Sequence, residues 1–215
     1  MWSHAMKETV SPIERPDFPV VLRERLLRQD WSAVSCLGDL NLLNNRLLGL
    51  LCSTRCPGEI ILRSYDLACA IRDAGITVIG GFHSPMEQEC FEILARGSQP
   101  VVVCPARGLQ AMRIPGAWRT PLKENRLLVI SPFPERERRP TAELARRRNT
   151  FVADLADELL VLHASPGGKI EELCMRILDR GRRVHLLEGA QHEALFKRGV
   201  RAESINEVVG QWRAN

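Results

Sequence analysis

Apolar positions along this chain fall into two alternating patterns. Short continuous runs of strand length occur at Arg46–Ser53 (RLLGLLCS), Ile76–Ile79, Pro100–Cys104, Arg126–Ile130, Glu158–Leu162 and Arg183–Leu187. Between them, apolar residues recur near the 3.6-residue period of a helix. Ile60, Ile61, Leu67, Ala68 and Ile71 predict a helix over Pro57–Ala74, with Gly75 just past its end. The same reasoning predicts helices over Pro85–Ala95 closed by Gly97, Thr141–Ala156, and Ile170–Asp179 closed by Gly181. Val20–Gln29 reads as a short helix and Trp31–Leu37 as a short strand. Gln191–Lys197 and Glu203–Arg213 read as two short C-terminal helices. The proline-rich first 20 residues read as an extended arm. Pro105–Asn125, broken by Gly108, Pro115, Gly116 and Pro121, reads as a long irregular stretch.

Apolar strands that alternate with amphipathic helices imply a parallel sheet covered on both faces. The expected fold class is therefore α/β: a doubly wound, mainly parallel, Rossmann-like sheet. Residues 1–37 are expected to form an arm with a short helix and strand packed on the core, and residues 38–215 the Rossmann-like domain. In such sheets ligands bind beyond the carboxyl ends of the strands, near the point where the winding reverses. Four segments leave those ends: Ser53–Gly58, Gly80–Pro85, Pro105–Gly108 and Ala164–Lys169.

Composition narrows the function classes. With 215 residues, 45% hydrophobic and 26% charged, the chain can bury a core without disulfide or metal staples. Its longest apolar runs fall far short of the roughly 20 residues a membrane span needs. Met1–Lys7 has no apolar stretch of the secretory kind, so neither membrane insertion nor secretion is expected. The seven cysteines show neither a disulfide framework nor zinc-ligand spacing. They read as small buried hydrophobes in a reducing cytoplasm, and no metal is expected.

Charge adds one feature. The net charge is only +4, but 26 of the 30 basic residues are arginine, and Arg107–Arg148 holds eleven basic against four acidic residues. Arginine suits bidentate phosphate contacts, so the segment fits an anionic partner; a GC-rich genome that writes Arg for Lys on a solvated face would produce the same count.

The strand-end loops supply the candidate chemistry. Ser53, Thr54 and Arg55 set hydroxyls and a guanidinium between a strand and a helix, where helix amides also favour an anion. Helix capping by Ser53 or Thr54 with a solvated Arg55 would use the same residues. Gly80 and Gly81 allow close approach of a ligand, His83 can face it, and Ser84 fits a helix N-cap before Pro85, with Glu87 in the first turn. Gly167, Gly168 and Lys169 can form a phosphate-holding turn or simply a flexible connection. Arg107 lies on the third loop. Arg146, Arg147, Arg148 and Asn149 sit on or just before an apolar-faced segment, where three arginines cannot all face one way. The G-x-G-x-x-G fingerprint is absent, so no dinucleotide cofactor is expected.

The order of these pieces resembles the DNA-processing protein A (DprA/Smf) family. The resemblance rests on Gly38–Arg55 (GDLNLLNNRLLGLLCSTR), Gly75–Gly81 (GITVIGG), Leu127–Pro134 (LLVISPFP), Arg147–Ala164 (RRNTFVADLADELLVLHA) and Arg183–Gly189 (RRVHLLEG), and covers most of residues 17–189. It implies an extended Rossmann fold that dimerises, binds single-stranded DNA and helps load RecA. It also implies that Arg55 matches an arginine of the family's basic pocket. Departures are visible. The family's Gly-Ser-Arg turn is Ser53-Thr54-Arg55 here, its Ala-Arg-Gly-Ile-Asp stretch is His83-Ser84-Pro85-Met86-Glu87, and Gly167-Gly168-Lys169 replaces a Gly-Ser loop. The pocket arginine expected after the glycine pair is therefore missing.

Two alternatives share the fold. Pro166-Gly167-Gly168 followed by Glu171-Glu172 resembles the LOG phosphoribohydrolases of the same superfamily, without their Gly-Thr pair. A non-catalytic nucleotide sensor is the other.

Overall fold

A computed structural model describes residues 9–12, 18–110, 112–189 and 192–213. Its strands are β1 (Thr9–Pro12), β2 (Ala33–Leu37), β3 (Leu48–Cys52), β4 (Val78–Gly80), β5 (Val101–Val103), β6 (Leu127–Ser131), β7 (Glu158–His163), β8 (Val184–Leu187) and β9 (Ala202–Glu203). The helices are α1 (Val20–Leu27), α2 (Gly58–Asp73), α3 (Pro85–Leu94), α4 (Gly116–Lys123), α5 (Ala142–Leu155), α6 (Lys169–Asp179), α7 (Glu193–Phe196) and α8 (Ile205–Arg213).

The strands form one sheet in the order β1-β2-β6-β5-β4-β3-β7-β8-β9. From β6 to β9 every neighbouring pair is parallel, while β1 and β2 add an antiparallel edge beside β6. The chain winds outward from β3 through β4, β5 and β6, then returns to the other side of β3 with β7, β8 and β9. The doubly wound α/β fold expected from the sequence is the one observed. Its winding reverses between β3 and β7, and a crevice is expected at their carboxyl ends.

The continuous apolar runs follow from burial on both faces. Leu48, Leu50 and Cys52 of β3 point into one core with Ile60, Leu67 and Ile71 of α2, Cys90 and Phe91 of α3, and Trp212 of α8. Leu51 of β3, Leu128 and Ile130 of β6, and Leu159 and Val161 of β7 point into the other. There they meet Leu22 and Leu26 of α1, Phe151 and Val152 of α5, and Leu173 of α6. Alternate residues of one strand thus feed opposite layers, the two-residue period of the pleat.

Three local readings change. Pro105–Asn125 is not irregular throughout, because Gly116–Lys123 is helical with Pro121 inside it. Leu122 is buried in the same core layer as Phe91, and Trp118 packs beside Phe91 with ring centroids 6.2 Å apart. Tertiary packing outweighs the proline penalty that spoke against a helix. Within the N-terminal arm, Thr9–Pro12 pairs with β2 as an edge strand; the rest of that arm up to Asp17 lies outside the described residues. At the far edge, β9 is only two residues long and carries too little pattern to be read from sequence.

Candidate functional site

β3 ends in Cys52, and the next residue turns towards β7. The Ser53 amide donates to the His163 carbonyl at 2.8 Å, and the Ser53 hydroxyl accepts from the Ser165 amide at 2.9 Å. Ser53 thus ties together the two strands that flank the reversal. Thr54 and Arg55, the next two residues before α2, are exposed, and nothing among the described residues pairs with the Arg55 guanidinium.

Behind this turn stands Glu87, a carboxylate only 3% exposed. Oε1 accepts from the Cys52 amide at 2.9 Å, and Oε2 from the amides of His83 at 2.9 Å and Ser84 at 3.2 Å. Ser84 returns the capping bond from its hydroxyl to the Glu87 amide, which completes a capping box at the start of α3. The sequence marks Ser84 as the N-cap, as observed, and Glu87 only as a residue of the first turn. Its further task is to fasten the end of β3 to the loop after β4. The Ser84 hydroxyl is therefore engaged in capping, while the His83 side chain is exposed.

Gly80 and Gly81 close β4, and the second is where the site is built. A Cβ placed on Gly81 would lie 1.6 Å from Arg148 Nη1 and 1.9 Å from its Cζ. The Arg148 guanidinium therefore occupies the space that the missing side chain leaves. Arg148 is 3% exposed; Nη1 donates to the Cys104 carbonyl at 3.2 Å and Nε to the Asn149 side-chain oxygen at 2.7 Å. No carboxylate pairs with it among the described residues. A buried guanidinium with only neutral acceptors is a costly arrangement. Its positive charge also reaches the Cys104 thiol, which burial nonetheless pushes up to about 12.

An arginine from elsewhere in the chain thus fills the space beside the glycine pair. Arg148 comes from α5 and enters the space beside the second glycine. The neighbouring arginines fan out at about 100° per helical residue. Arg146 pairs with Glu143 at 2.7 Å, and Arg147 lies 5.9 Å from the Trp31 ring centre and 5.6 Å from that of Phe133. Only Arg148 is brought to the glycine pair.

The remaining candidates are placed as follows. Arg107 is half-buried after β5, its Nε donating to the Gly108 carbonyl at 3.2 Å and its own carbonyl accepting from the Ser131 hydroxyl at 2.6 Å. The turn before α6 is already partly satisfied by its own residues: the Gly167 amide donates to Glu171 Oε1 and the Gly168 amide to the Ser165 carbonyl, both at 2.9 Å. Both amides of this turn thus have acceptors in the turn itself or in the first turn of α6. Lys169 pairs with Glu172 at 3.2 Å, so both carboxylates of the hydrolase-like alternative have local partners. Phe82 adopts a positive φ of 47°, and its ring is buried against Phe91 at 5.2 Å between centroids, not presented to a ligand.

Just inside the same edge lie two imidazoles. His163, the last residue of β7, and His192 have ring centroids 5.4 Å apart. Burial lowers the pKa of both, and the nearness of His163 lowers that of His192 further. Sequence spacing of 29 positions gave no signal for this pair.

The fold is that of a Rossmann-like protein, with exposed Arg55 after β3 at the reversal and Arg148, buried without a carboxylate partner, beside the ends of β4 and β5. A model of the DNA recombination-mediator protein A family matches residues 9–199, and the chain belongs to that family. Among solved structures it is similar to DNA processing protein A (DprA) of Streptococcus pneumoniae, at 17% identity with a TM-score of 0.78. That match covers 95% of this chain and 74% of the other. DNA processing protein A of Helicobacter pylori is similar at 14% identity and a TM-score of 0.71, over 97% and 98% of the two chains. The molybdenum cofactor carrier protein of Chlamydomonas reinhardtii shares the fold at 14% identity, with a TM-score of 0.55 over 79% and 97%. No curated protein matches the sequence significantly.

Proposed function

We propose that this protein binds single-stranded DNA through phosphate contacts at the carboxyl edge of β3, β4 and β7, in the service of DNA processing. The observation that carries the reading is Arg148, buried beside Gly81 without a carboxylate partner. A phosphate in the crevice supplies the missing counter-charge, and a guanidinium is the group best shaped to receive it. Membership of the DNA recombination-mediator family supports the assignment, as does the similar Helicobacter pylori protein, which is described as binding single-stranded DNA.

The division of roles is as follows. Arg148 and Arg55 receive phosphates; Ser53 and Thr54 offer hydroxyls; Gly80 and Gly81 allow the strand to approach the backbone; Asn149 orients Arg148. Arg107, Arg147, His83, Ser84, Gly167, Gly168 and Lys169 border this centre and shape the path of the strand. With Phe82 packed into the core, binding relies on backbone charge more than on base stacking, and sequence preference is weak. In the same reading the protein acts in the cytoplasm as a homodimer and hands its strand to RecA. Among the described residues no helix is long and apolar enough to cross a membrane.

The test is an oligo-dT titration followed by fluorescence anisotropy at about 50 mM salt, with AMP as competitor. Binding that AMP does not displace at equal concentration supports the DNA reading. Undetectable oligo-dT binding alongside measurable AMP binding would establish the nucleotide sensor instead.

A further inference from the structure

A basic cavity lies at the opposite, amino-terminal edge of the sheet. It has a volume of about 410 Å³ and sits where β8 and β9 begin, beside the end of α6. Arg182, Arg183, Arg198 and Arg201 line it, against a single lining carboxylate, Glu203. That carboxylate is already committed: its Oε2 lies 2.8 Å from His185 Nδ1 and accepts from Gln211 Nε2 at 3.2 Å.

The four guanidinium groups are not equivalent. Arg182 is turned inward and donates to the Ala153 and Ala156 carbonyls, so it holds the fold together. Arg198 pairs with Asp179 at the end of α6. Arg183 is 73% exposed and reaches the Glu158 carboxylate only at 3.8 Å, beyond hydrogen-bonding distance. Arg201 is exposed and has no partner among the described residues. Val184 and Val200 add apolar wall between these charges. One unpaired fork, Arg201, and a second, Arg183, held only by a long ion pair to Glu158, stand at an open basic groove and form a receptor for a compact polyanion.

We infer that this cavity binds a small phosphate-bearing molecule of the diphosphate class, through Arg183 and Arg201 with Arg198 at its side. A volume of this size suits a small ligand, and paired forks suit adjacent phosphoryl groups. The inference is independent of the DNA reading, because the cavity and the residues Arg55 and Arg148 lie at opposite ends of the strands.

The experiment uses inorganic pyrophosphate as the probe, titrated calorimetrically into the full chain and into an Arg183→Gln/Arg201→Gln double variant. Both side chains are exposed, so the variant should keep the wild-type melting temperature. The expected result is saturable one-site binding to the wild type and at least tenfold weaker binding to the double variant, with Arg55→Ala binding pyrophosphate as the wild type does. Oligo-dT affinity of the double variant should stay within twofold of the wild type. No binding to the wild type, or equal binding to wild type and double variant, would overturn the inference. Loss of pyrophosphate binding in Arg55→Ala would move the anion to the other crevice and overturn it as well.

Discussion

Gly81→Ala is the smallest change that reaches the centre of the proposed site. The added Cβ would stand 1.6 Å from Arg148 Nη1 and 2.5 Å from its Nε. Unbonded heavy atoms in contact keep about 3.5 Å apart, so the overlap is roughly 2 Å and the guanidinium must leave. Its departure removes the bonds to the Cys104 carbonyl and the Asn149 side chain. An orphaned buried acceptor costs about 1–3 kcal/mol, and a glycine-to-alanine change returns about 0.4–1 kcal/mol through the unfolded chain. Gly81 is not among the glycines with positive φ, so alanine adds no backbone strain. The net expectation is a loss of about 1–2 kcal/mol in a urea titration, with the protein still folded. Oligo-dT affinity should fall tenfold or more, because a charge-assisted phosphate contact is worth about 1.5–3 kcal/mol. Gly116→Ala, where a Cβ would meet nothing, is the matched control: it should leave oligo-dT affinity unchanged and stabilise the fold by about 0.4–1 kcal/mol. A folded Gly81→Ala protein with wild-type affinity would refute the placement of Arg148 in the site.

Other elements make separate predictions. Glu87→Ala strips the acceptor from three amides, those of Cys52, His83 and Ser84, and should destabilise the fold by about 3 kcal/mol in denaturant titration. A loss below about 1 kcal/mol would show that the fastening matters little. His185 is bridged by Glu158 at 2.6 Å and Glu203 at 2.8 Å; burial would lower its pKa, but the bonds to Glu203 and Glu158 outweigh it and the net shift is upward. A raised folded pKa stabilises fully below the ordinary histidine value, near 6.5, and that stabilisation disappears as pH rises through the folded pKa. The melting temperature of the wild type should therefore exceed that of His185→Gln most at about pH 6 and by less at higher pH. A gap that widens with pH would contradict the bridge. His163 and His192 have lowered folded values, so their contribution runs the other way and is lost as pH falls below about 6.5. Replacing both with glutamine should flatten the acid limb of the melting-temperature profile.

Much of the architecture was legible because burial on both faces leaves a plain mark. Leu48–Cys52 and Leu127–Ser131 are apolar at nearly every position, which only a strand between two helix layers requires. α4 was hidden because a proline inside an eight-residue helix erases the local signal, while the packing that rescues it is distant in sequence. The site divides along the same line. Arg55 and the Gly80–Gly81 pair were visible, since strand-end loops can be counted from the runs. Arg148 was visible only as one of three consecutive arginines. Its selection depends on helix phase and on the space beside Gly81, 67 residues earlier, and no local pattern encodes that pairing. Glu87 shows the limit from the other side, since its capping role was local but its bond to Cys52 spans 35 residues.

The central claim, that this crevice receives the phosphates of a single strand, is tested most directly by the salt dependence of oligo-dT binding in wild type and Arg55→Ala. Each phosphate neutralised on a single strand contributes a log–log slope of about −0.7. Arg55 is exposed and unpaired among the described residues, so its removal should leave the melting temperature unchanged. The account predicts weaker binding and a slope flatter by roughly 0.7 for the variant. Equal affinity and equal slope in the two proteins would contradict it.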